Sequence, residues 1–132
     1  MPADRGLALG TQVFGNTSVP KHIRVGRGAL AEYVTVGAEM VCIKPENILP
    51  EQAAGLGIAG VSGLVLLGAA NLERGQKVLI NGASGGVGAF TLQMIKDAVG
   101  VEGKVVAICS KRKIAMVKEL GADEVNTQNL WL

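Results

Sequence analysis

The chain has 132 residues, enough for one ordinary domain, and its formal net charge of +2 is too small to predict nucleic-acid binding by itself. Hydrophobic residues make up 48% of the sequence and aromatic residues only 3%, so we expect a core of aliphatic side chains. The two cysteines, Cys42 and Cys109, lie far apart in apolar segments, which favours buried thiols in a reducing compartment. No signal segment opens the chain, and we expect a cytoplasmic protein.

The N-terminal third has the pattern of short strands separated by loops. Residues 12–15 and 40–43 are apolar segments of strand length, and residues 29–36 alternate like a half-buried strand. Pro45 closes this section, since the residue before a proline avoids helical backbone angles. The only histidine, His22, lies in a loop with no acid or cysteine nearby. Such a histidine is more often a surface residue than a metal ligand or a catalytic base.

A segment without charged residues runs from Ala53 to Ala70. Its length is near the lower limit for a membrane span, but glycines and Ser62 interrupt it and aromatic belts are missing. Two short buried helices, broken near residues 57–60, explain it better, and we predict no membrane span. The helix start lies at Pro50, because proline is tolerated in the first turn of a helix.

Residues 77–110 have the order strand, glycine turn, helix and strand, which is the unit that binds dinucleotides. The strands are predicted at 77–81 and 104–109 from their apolar, β-branched composition. The helix at 89–99 has apolar residues at helical spacing and ends at Gly100. Its inward side chains are predicted to be Phe90, Leu92, Ile95 and Val99, and its solvent-facing ones Lys96 and Asp97.

The glycine turn (residues 82–88) has the spacing that lets a backbone bind a pyrophosphate. A Cβ at Gly85 intrudes on the approaching phosphate, whereas Gly88 allows the helix to pack closely on the strand. The helix N-terminus is positively polarised, and its first amides point at the anion. Ala83 replaces the first glycine of the usual motif, and a turn that needs glycine only for its shape is the alternative. The predicted phosphate-binding residues are Ser84, Gly85, Gly86, Val87 and Gly88.

The basic loop (Ser110, Lys111, Arg112 and Lys113) follows the second strand. An acid about 20 residues after the turn usually binds a free ribose 2′-hydroxyl, but this loop has none. Its hydroxyl and three cations suit a 2′-phosphate, which Arg112 can bind with two hydrogen bonds. We therefore predict NADPH rather than NADH, with a solvated first helical turn as the alternative. No aromatic residue interleaves the cations, so we do not expect nucleic-acid binding.

The remaining pattern predicts a helix at residues 114–120, ended by Gly121, and a third strand starting at residues 124–126. The inward side chains of this helix are predicted to be Ile114, Val117 and Leu120. No cysteine cluster has zinc-ribbon spacing, so we predict no zinc and no other metal site.

Three segments, at residues 79–88, 109–125 and 28–33, resemble the medium-chain dehydrogenase/reductase superfamily. Within it they are most similar to the zinc-independent, quinone oxidoreductase-like branch, which includes zinc-type alcohol dehydrogenase-like proteins. The resemblance covers most of residues 12–125. In this family a hydroxyl that matches Ser62 lies near the nicotinamide, so Ser62 joins the predicted cofactor contacts.

The resemblance implies an α/β fold with a partial Rossmann (βαβα) unit preceded by the last strands of a GroES-like β domain. Residues 1–48 match the C-terminal part of the GroES-like substrate domain. Residues 49–132 match the N-terminal half of the NADPH-binding domain, so the chain resembles an internal fragment.

The function implied by the resemblance is hydride transfer from NADPH to a quinone or to an activated C=C bond, as in enoyl reductase domains. The sequence offers no convincing catalytic acid or base, and the catalytic residues stay unassigned. A complete Rossmann domain has about six strands, whereas this chain supplies two and the start of a third. The alternative is therefore an inactive nucleotide-binding or protein-interaction module. The incomplete sheet edge also predicts self-association.

Overall fold

A computed structural model describes residues 7–17 and 28–127. Its contacts divide the chain into two compact units, residues 1–58 and residues 59–132. The boundary predicted between residues 48 and 49 separates the parts that resemble two different domains of the family. It stays a prediction, because the contacts within the chain do not test it. His22 lies outside the described residues.

The first unit contains a two-stranded antiparallel sheet. Strand β1 (Val13–Gly15) pairs with strand β2 (Val41–Ile43), and a 3-10 turn (Ala38–Met40) leads into β2. Helix α1 (Pro50–Ala54) packs against β1 and begins at the predicted proline. The side-chain amide of Asn16 donates to the carbonyl of Gly57 at 3.2 Å. The strands predicted at residues 12–15 and 40–43 are thus present, each one residue shorter.

Two predictions for this unit are wrong. Residues 29–36 form no strand, and the side chains of Leu30 and Tyr33 are almost fully exposed. Alternating residues become a strand only where another strand accepts their hydrogen bonds, and none among the described residues pairs with this segment. The Cys42 thiol is exposed, whereas Cys109 is buried as predicted. A two-stranded sheet covers too little of its own surface to bury Cys42.

The uncharged segment folds as two helices joined by a π-helical turn (Leu56–Gly60), at the break that the sequence predicts. Helix α2 (Val61–Ala70) follows and ends at Asn71, whose φ of 44° is left-handed. The prediction that both helices are buried is wrong, because α1 buries only Ala53 and the large side chains of α2 are mostly exposed. The exposed fractions are 54% for Val61, 58% for Leu64, 67% for Val65 and 52% for Leu66. Within the described ranges, no helix combines the length and the hydropathy that crossing a membrane requires.

The second unit contains a three-stranded parallel sheet in the order β3-β4-β5. A helix follows each of the first two strands, which is the predicted α/β architecture of a partial Rossmann unit. The elements are β3 (Lys77–Asn81), α3 (Gly86–Val99), β4 (Lys104–Cys109), a 3-10 turn (Lys111–Lys113), α4 (Ile114–Glu119) and β5 (Glu124–Thr127).

The core of this unit lies between the sheet and helices α3 and α4. Strand β4 turns Val105, Ala107 and Cys109 towards the helices, and all three are buried. The predicted inward residues of α3 are buried except Phe90, which is half-buried. The buried core residues are Ile80, Ala83, Leu92, Ile95, Val99, Val105, Ala107, Cys109, Val117 and Ala122.

The other face of the sheet is less covered. Leu79 points away from the helices and is 63% exposed, and its partner Val106 in β4 is half-buried. Strands β3 and β5 are the two edges of the described sheet. Self-association stays a prediction, and these edges with Leu79 are the surface that it would use.

An ion pair joins the N-terminal edge of the sheet to the end of α3. Lys96 Nζ lies 2.7 Å from Oδ1 and 2.8 Å from Oδ2 of Asp123, and it also donates to the Gly103 carbonyl at 3.3 Å. The Val105 amide donates to Asp123 Oδ2 at 2.7 Å, and the Asp123 amide donates to the Val105 carbonyl at 2.9 Å. The prediction that Lys96 faces solvent is wrong, because its side chain is half-buried and forms an ion pair. These bonds fix the entry of β5 beside β4.

Two hydrogen bonds lower the pKa of Asp123 below its ordinary value of 3.8. The bond from the Lys96 side chain has the larger effect, and the bond from the Val105 amide has the smaller one. A carboxyl with a lowered pKa in the folded state stabilises the fold fully above its unfolded pKa, and this stability is lost as the pH falls through the lower folded pKa. We expect Asp123→Asn to lower the urea midpoint at pH 7, with a smaller difference from the unmodified chain once the pH falls below the lowered pKa of Asp123.

Asp97→Asn is the matched control, because Asp97 is an exposed neighbour of Lys96 with no recorded ion pair among the described residues. Equal midpoints for Asp123→Asn and Asp97→Asn at pH 7 would contradict the role assigned to Asp123.

Candidate functional site

The register of the parallel sheet brings the glycine turn and the basic loop to one edge. Asn81, the last residue of β3, pairs with Ile108 in β4, and Cys109 pairs with Thr127 at the end of β5. The Ala83 amide donates to the Ile108 carbonyl at 3.1 Å, which holds the start of the turn against β4. Both loops thus begin side by side at the carboxyl ends of their strands, where open α/β sheets bind ligands.

Two glycines of the turn are explained by the protein itself. Gly82 has a φ of +72°, in the left-handed region that favours glycine. A Cβ on Gly88 would meet the Gly82 carbonyl and lie 2.9 Å from the Ala83 Cα. Helix α3 therefore packs directly on the chain that leaves β3, and only glycine permits this approach.

Two other glycines have no such internal reason. Gly85 has φ −79° and ψ 168°, an extended backbone that any residue adopts, and a Cβ there would meet only the Gly82 carbonyl at 3.4 Å. A Cβ on Gly86 would meet only the Ala59 Cβ, at 3.7 Å. Both distances are ordinary van der Waals contacts. Turn shape thus accounts for Gly82 and Gly88 but not for Gly85 and Gly86, and the open space above these two residues fits an approaching phosphate.

Gly85 is the N-cap and Gly86 the first residue of α3, so this open space adjoins the N-terminus of the helix. The first helical amides, on Gly86, Val87 and Gly88, have no acceptor within the helix, and no side chain caps it. The first closing bond runs from the Ala89 amide to the Gly85 carbonyl at 2.8 Å. The half-buried Ser84 precedes these residues, and its hydroxyl has no recorded partner in the described part of the chain. Unpaired amides at a positively polarised helix end suit an anion.

The basic loop is exposed along its whole length. Ser110 precedes the 3-10 turn, and the Lys113 amide donates to its carbonyl at 2.9 Å. The ion pairs recorded among residues 7–17 and 28–127 are Lys96–Asp123 and Lys104–Glu124. The three cations of the basic loop are therefore free of recorded partners in these ranges, as expected for groups that bind a phosphate. These assignments stay predictions.

Ser62 lies in the first turn of α2 and is half-buried. The residue three positions before it, Ala59, is the nearest neighbour of Gly86 across the space where a Cβ would stand. The π-helical turn that precedes α2 therefore lies near the beginning of α3. No recorded contact joins the Ser62 hydroxyl to the turn, and its role as a cofactor contact stays a prediction.

The sequence analysis did not identify the contact between Thr91 and Gly63, which lies near the start of α3. Thr91 is 5% exposed, and its Oγ1 donates to the Val87 carbonyl at 2.8 Å. Gly63 of α2 packs against this side chain. One signal was present in the sequence, because Thr91 is a polar residue beside Leu92 on the predicted apolar side of the helix.

The two loops at the carboxyl edge supply backbone amides and cations but no carboxylate and no imidazole. The glycine turn and the basic loop contain no Asp, Glu or His. Within the described ranges, no three side chains of His, Cys, Asp or Glu lie close enough to hold a metal ion. A cavity of about 510 Å³ lies at the opposite edge of the sheet, near Arg74 and Gly100. The distance of this cavity from the glycine turn does not argue against a phosphate site there, because a pyrophosphate that binds helix amides needs an open surface and not an enclosed cavity.

Comparisons with known proteins identify relatives of the chain by sequence and by fold. No protein-family model matches the chain. The chain is 35% identical over 126 residues to an NADPH-dependent alkenal/one oxidoreductase from chloroplasts of Arabidopsis thaliana, covering 92% of this chain and 31% of that protein.

Two solved structures share the fold. A quinone oxidoreductase from Coxiella burnetii matches with a TM-score of 0.78 and 32% identity, over 91% of this chain and 36% of that one. A quinone oxidoreductase from Thermus thermophilus, studied also with NADPH, matches with a TM-score of 0.67 and 31% identity over 76% of this chain and 34% of that one. The chain thus spans about a third of the length of the curated relatives that it matches.

The open space above Gly85 leads to a prediction about dinucleotide binding. We expect Gly85→Val to abolish binding, because its side chain would occupy the position of the pyrophosphate oxygens. The folded state should persist, since the added Cβ meets only one carbonyl at 3.4 Å. Calorimetric titration with NADPH measures the affinity, and thermal unfolding measures the stability.

Gly88→Val is the matched control, because its side chain would meet Gly82 and Ala83 inside the protein. We expect this variant to lose stability as well as binding. Unchanged NADPH affinity for Gly85→Val would show that this glycine serves the turn and not a ligand.

Proposed function

Because the chain belongs to the medium-chain dehydrogenase/reductase superfamily, we propose that it carries the NADPH-anchoring part of an oxidoreductase of the quinone oxidoreductase type. One observation carries this proposal: the open space at Gly85 and Gly86 adjoins the uncapped N-terminus of α3, at the same sheet edge where the basic loop begins. A pyrophosphate fits the first feature, and a 2′-phosphate fits the second.

The residues of the site would bind and orient the cofactor rather than react. The amides of Gly86, Val87 and Gly88 hold the pyrophosphate, and the cations around Arg112 hold the 2′-phosphate. The nicotinamide, when bound, supplies the hydride, so the protein mainly has to position it and exclude water. The lack of an acid or base at the carboxyl edge is compatible with this division of roles.

The relatives suggest the class of the substrate. Their names describe an alkenal/one oxidoreductase and quinone oxidoreductases. We propose that the substrate is a quinone or an enone, whose polarised C=C or C=O bonds accept hydride. A cytoplasmic location and the absence of zinc are further proposals, which rest on the sequence alone.

A turnover assay tests the function. Purified chain is mixed with NADPH and an ortho-quinone, and the nicotinamide absorbance is followed while calorimetry measures NADPH binding. Binding with turnover supports the oxidoreductase, and binding without turnover supports the inactive nucleotide-binding module. Absence of NADPH binding would exclude both.

Cofactor preference tests the basic loop. Replacing Arg112 and Lys113 together by Ala should weaken the binding of NADPH far more than the binding of NADH, because only NADPH carries the 2′-phosphate. One charge-assisted hydrogen bond contributes about 1.5–3 kcal/mol, so we expect the preference for NADPH to fall about tenfold or more.

Lys118→Ala is the control, since it removes an exposed cation from α4 rather than from the basic loop. Parallel weakening of NADPH and NADH in the double variant would mean that the basic loop has only a structural role.

A further inference from the structure

Helix α2 approaches the phosphate-binding end of α3 as closely as its backbone allows. A Cβ on Gly63 would lie 3.2 Å from Thr91 Oγ1, 3.4 Å from the Thr91 amide nitrogen and 3.5 Å from Met94 Sδ. The first distance is tighter than an ordinary contact, and the other two are ordinary van der Waals contacts. Gly63 is buried, so α2 presents bare backbone to the Thr91 side chain.

Thr91 connects this contact to the site. Its Oγ1 donates to the carbonyl of Val87, one of the three residues whose amides face the open space. A threonine that bonds the carbonyl four residues before it bends the helix locally. The conformation of the Thr91 side chain therefore affects the first turn of α3, and α2 leaves it little room to change.

A second approach lies in the π-helical turn just before α2. Ala59 is four residues before Gly63, and its Cβ lies 3.7 Å from the position that a Cβ on Gly86 would take. The chain from Ala59 to Gly63 thus lies near α3 at Gly86 and at Thr91, one position before and four positions after Val87. Gly68, further along α2, meets nothing within 4 Å.

We propose that Gly63 and Thr91 are positioning residues that hold the first turn of α3 in the geometry that binds the pyrophosphate. The proposal rests on the proposed function, since it assumes that this turn binds a dinucleotide. Neither residue touches the cofactor. A larger residue at position 63 would displace the Thr91 side chain, and this displacement would disturb its hydrogen bond to the Val87 carbonyl.

Two ligands separate positioning from general stability. NADPH uses both the helix amides and the basic loop, whereas adenosine 2′-monophosphate has no pyrophosphate and uses only the basic loop. We expect Gly63→Val to weaken NADPH about tenfold or more while the affinity for adenosine 2′-monophosphate changes less than about twofold. Gly68→Val is the matched control on the same helix, and it should leave both affinities unchanged.

Thr91→Val keeps the shape of the side chain and removes its hydroxyl, so it should weaken NADPH selectively, whereas Thr91→Ser keeps the hydroxyl and should retain the affinity. If circular dichroism shows that Gly63→Val does not fold, these variants and the milder Gly63→Ala test the positioning role in its place. Equal weakening of both ligands, or no change in either, would overturn the proposal. If the unmodified chain binds neither ligand, the proposed function fails first, and the positioning role fails with it.

Discussion

The close packing of α3 on the chain that leaves β3 is the constraint on which the second unit depends. At Gly88 the helix touches the backbone of Gly82 and Ala83, with no room for a side chain. This approach fixes the direction of the helix and the path of the glycine turn. It also fixes where the unpaired amides point. Helix α2 packs on α3 at a different place, where Gly63 lies against Thr91.

The two ends of the sheet have different roles. At the carboxyl ends of the strands, the chain leaves amides and cations without recorded partners among the described residues. At the opposite end, the ion pair of Lys96 with Asp123 and the two bonds between Asp123 and Val105 satisfy the polar groups. A polar group that is left unpaired at a folded surface is available to a ligand, whereas a paired one stabilises the fold. Binding capacity and stability are thus separated along the strands.

Most of the second unit could be predicted from the sequence, because its signals are local. Apolar strands, the glycine turn and helical spacing identify β3 and β4 at their observed bounds, and α3 except for its first turn. Features that depend on distant neighbours could not be predicted. Lys96 pairs with Asp123, which is 27 residues away, and residues 29–36 alternate like a strand but have no strand partner in the described chain.

The same limit applies to the site. The spacing of the glycines predicted the position of the turn between β3 and α3, and its binding of phosphate stays a prediction. No local signal tells a glycine required by packing from one that packing leaves unexplained. That distinction appears only when the space around each residue is known. The exposure of Cys42 and of the apolar side chains of α2 was missed for the same reason, because burial depends on what lies opposite each residue.

The four glycines of the turn also differ in what protects them against mutation. A substitution at Gly82 or Gly88 strains the backbone or collides with it, so selection for folding alone would remove it. A substitution at Gly85 or Gly86 meets only ordinary contacts within the protein. If Gly85 and Gly86 bind the nucleotide as proposed, a lineage that no longer needed it would accumulate changes at this second pair and keep the first. On that proposal, residues 85 and 86 of related chains would record whether binding is still selected, and residues 82 and 88 would record only that the protein still folds.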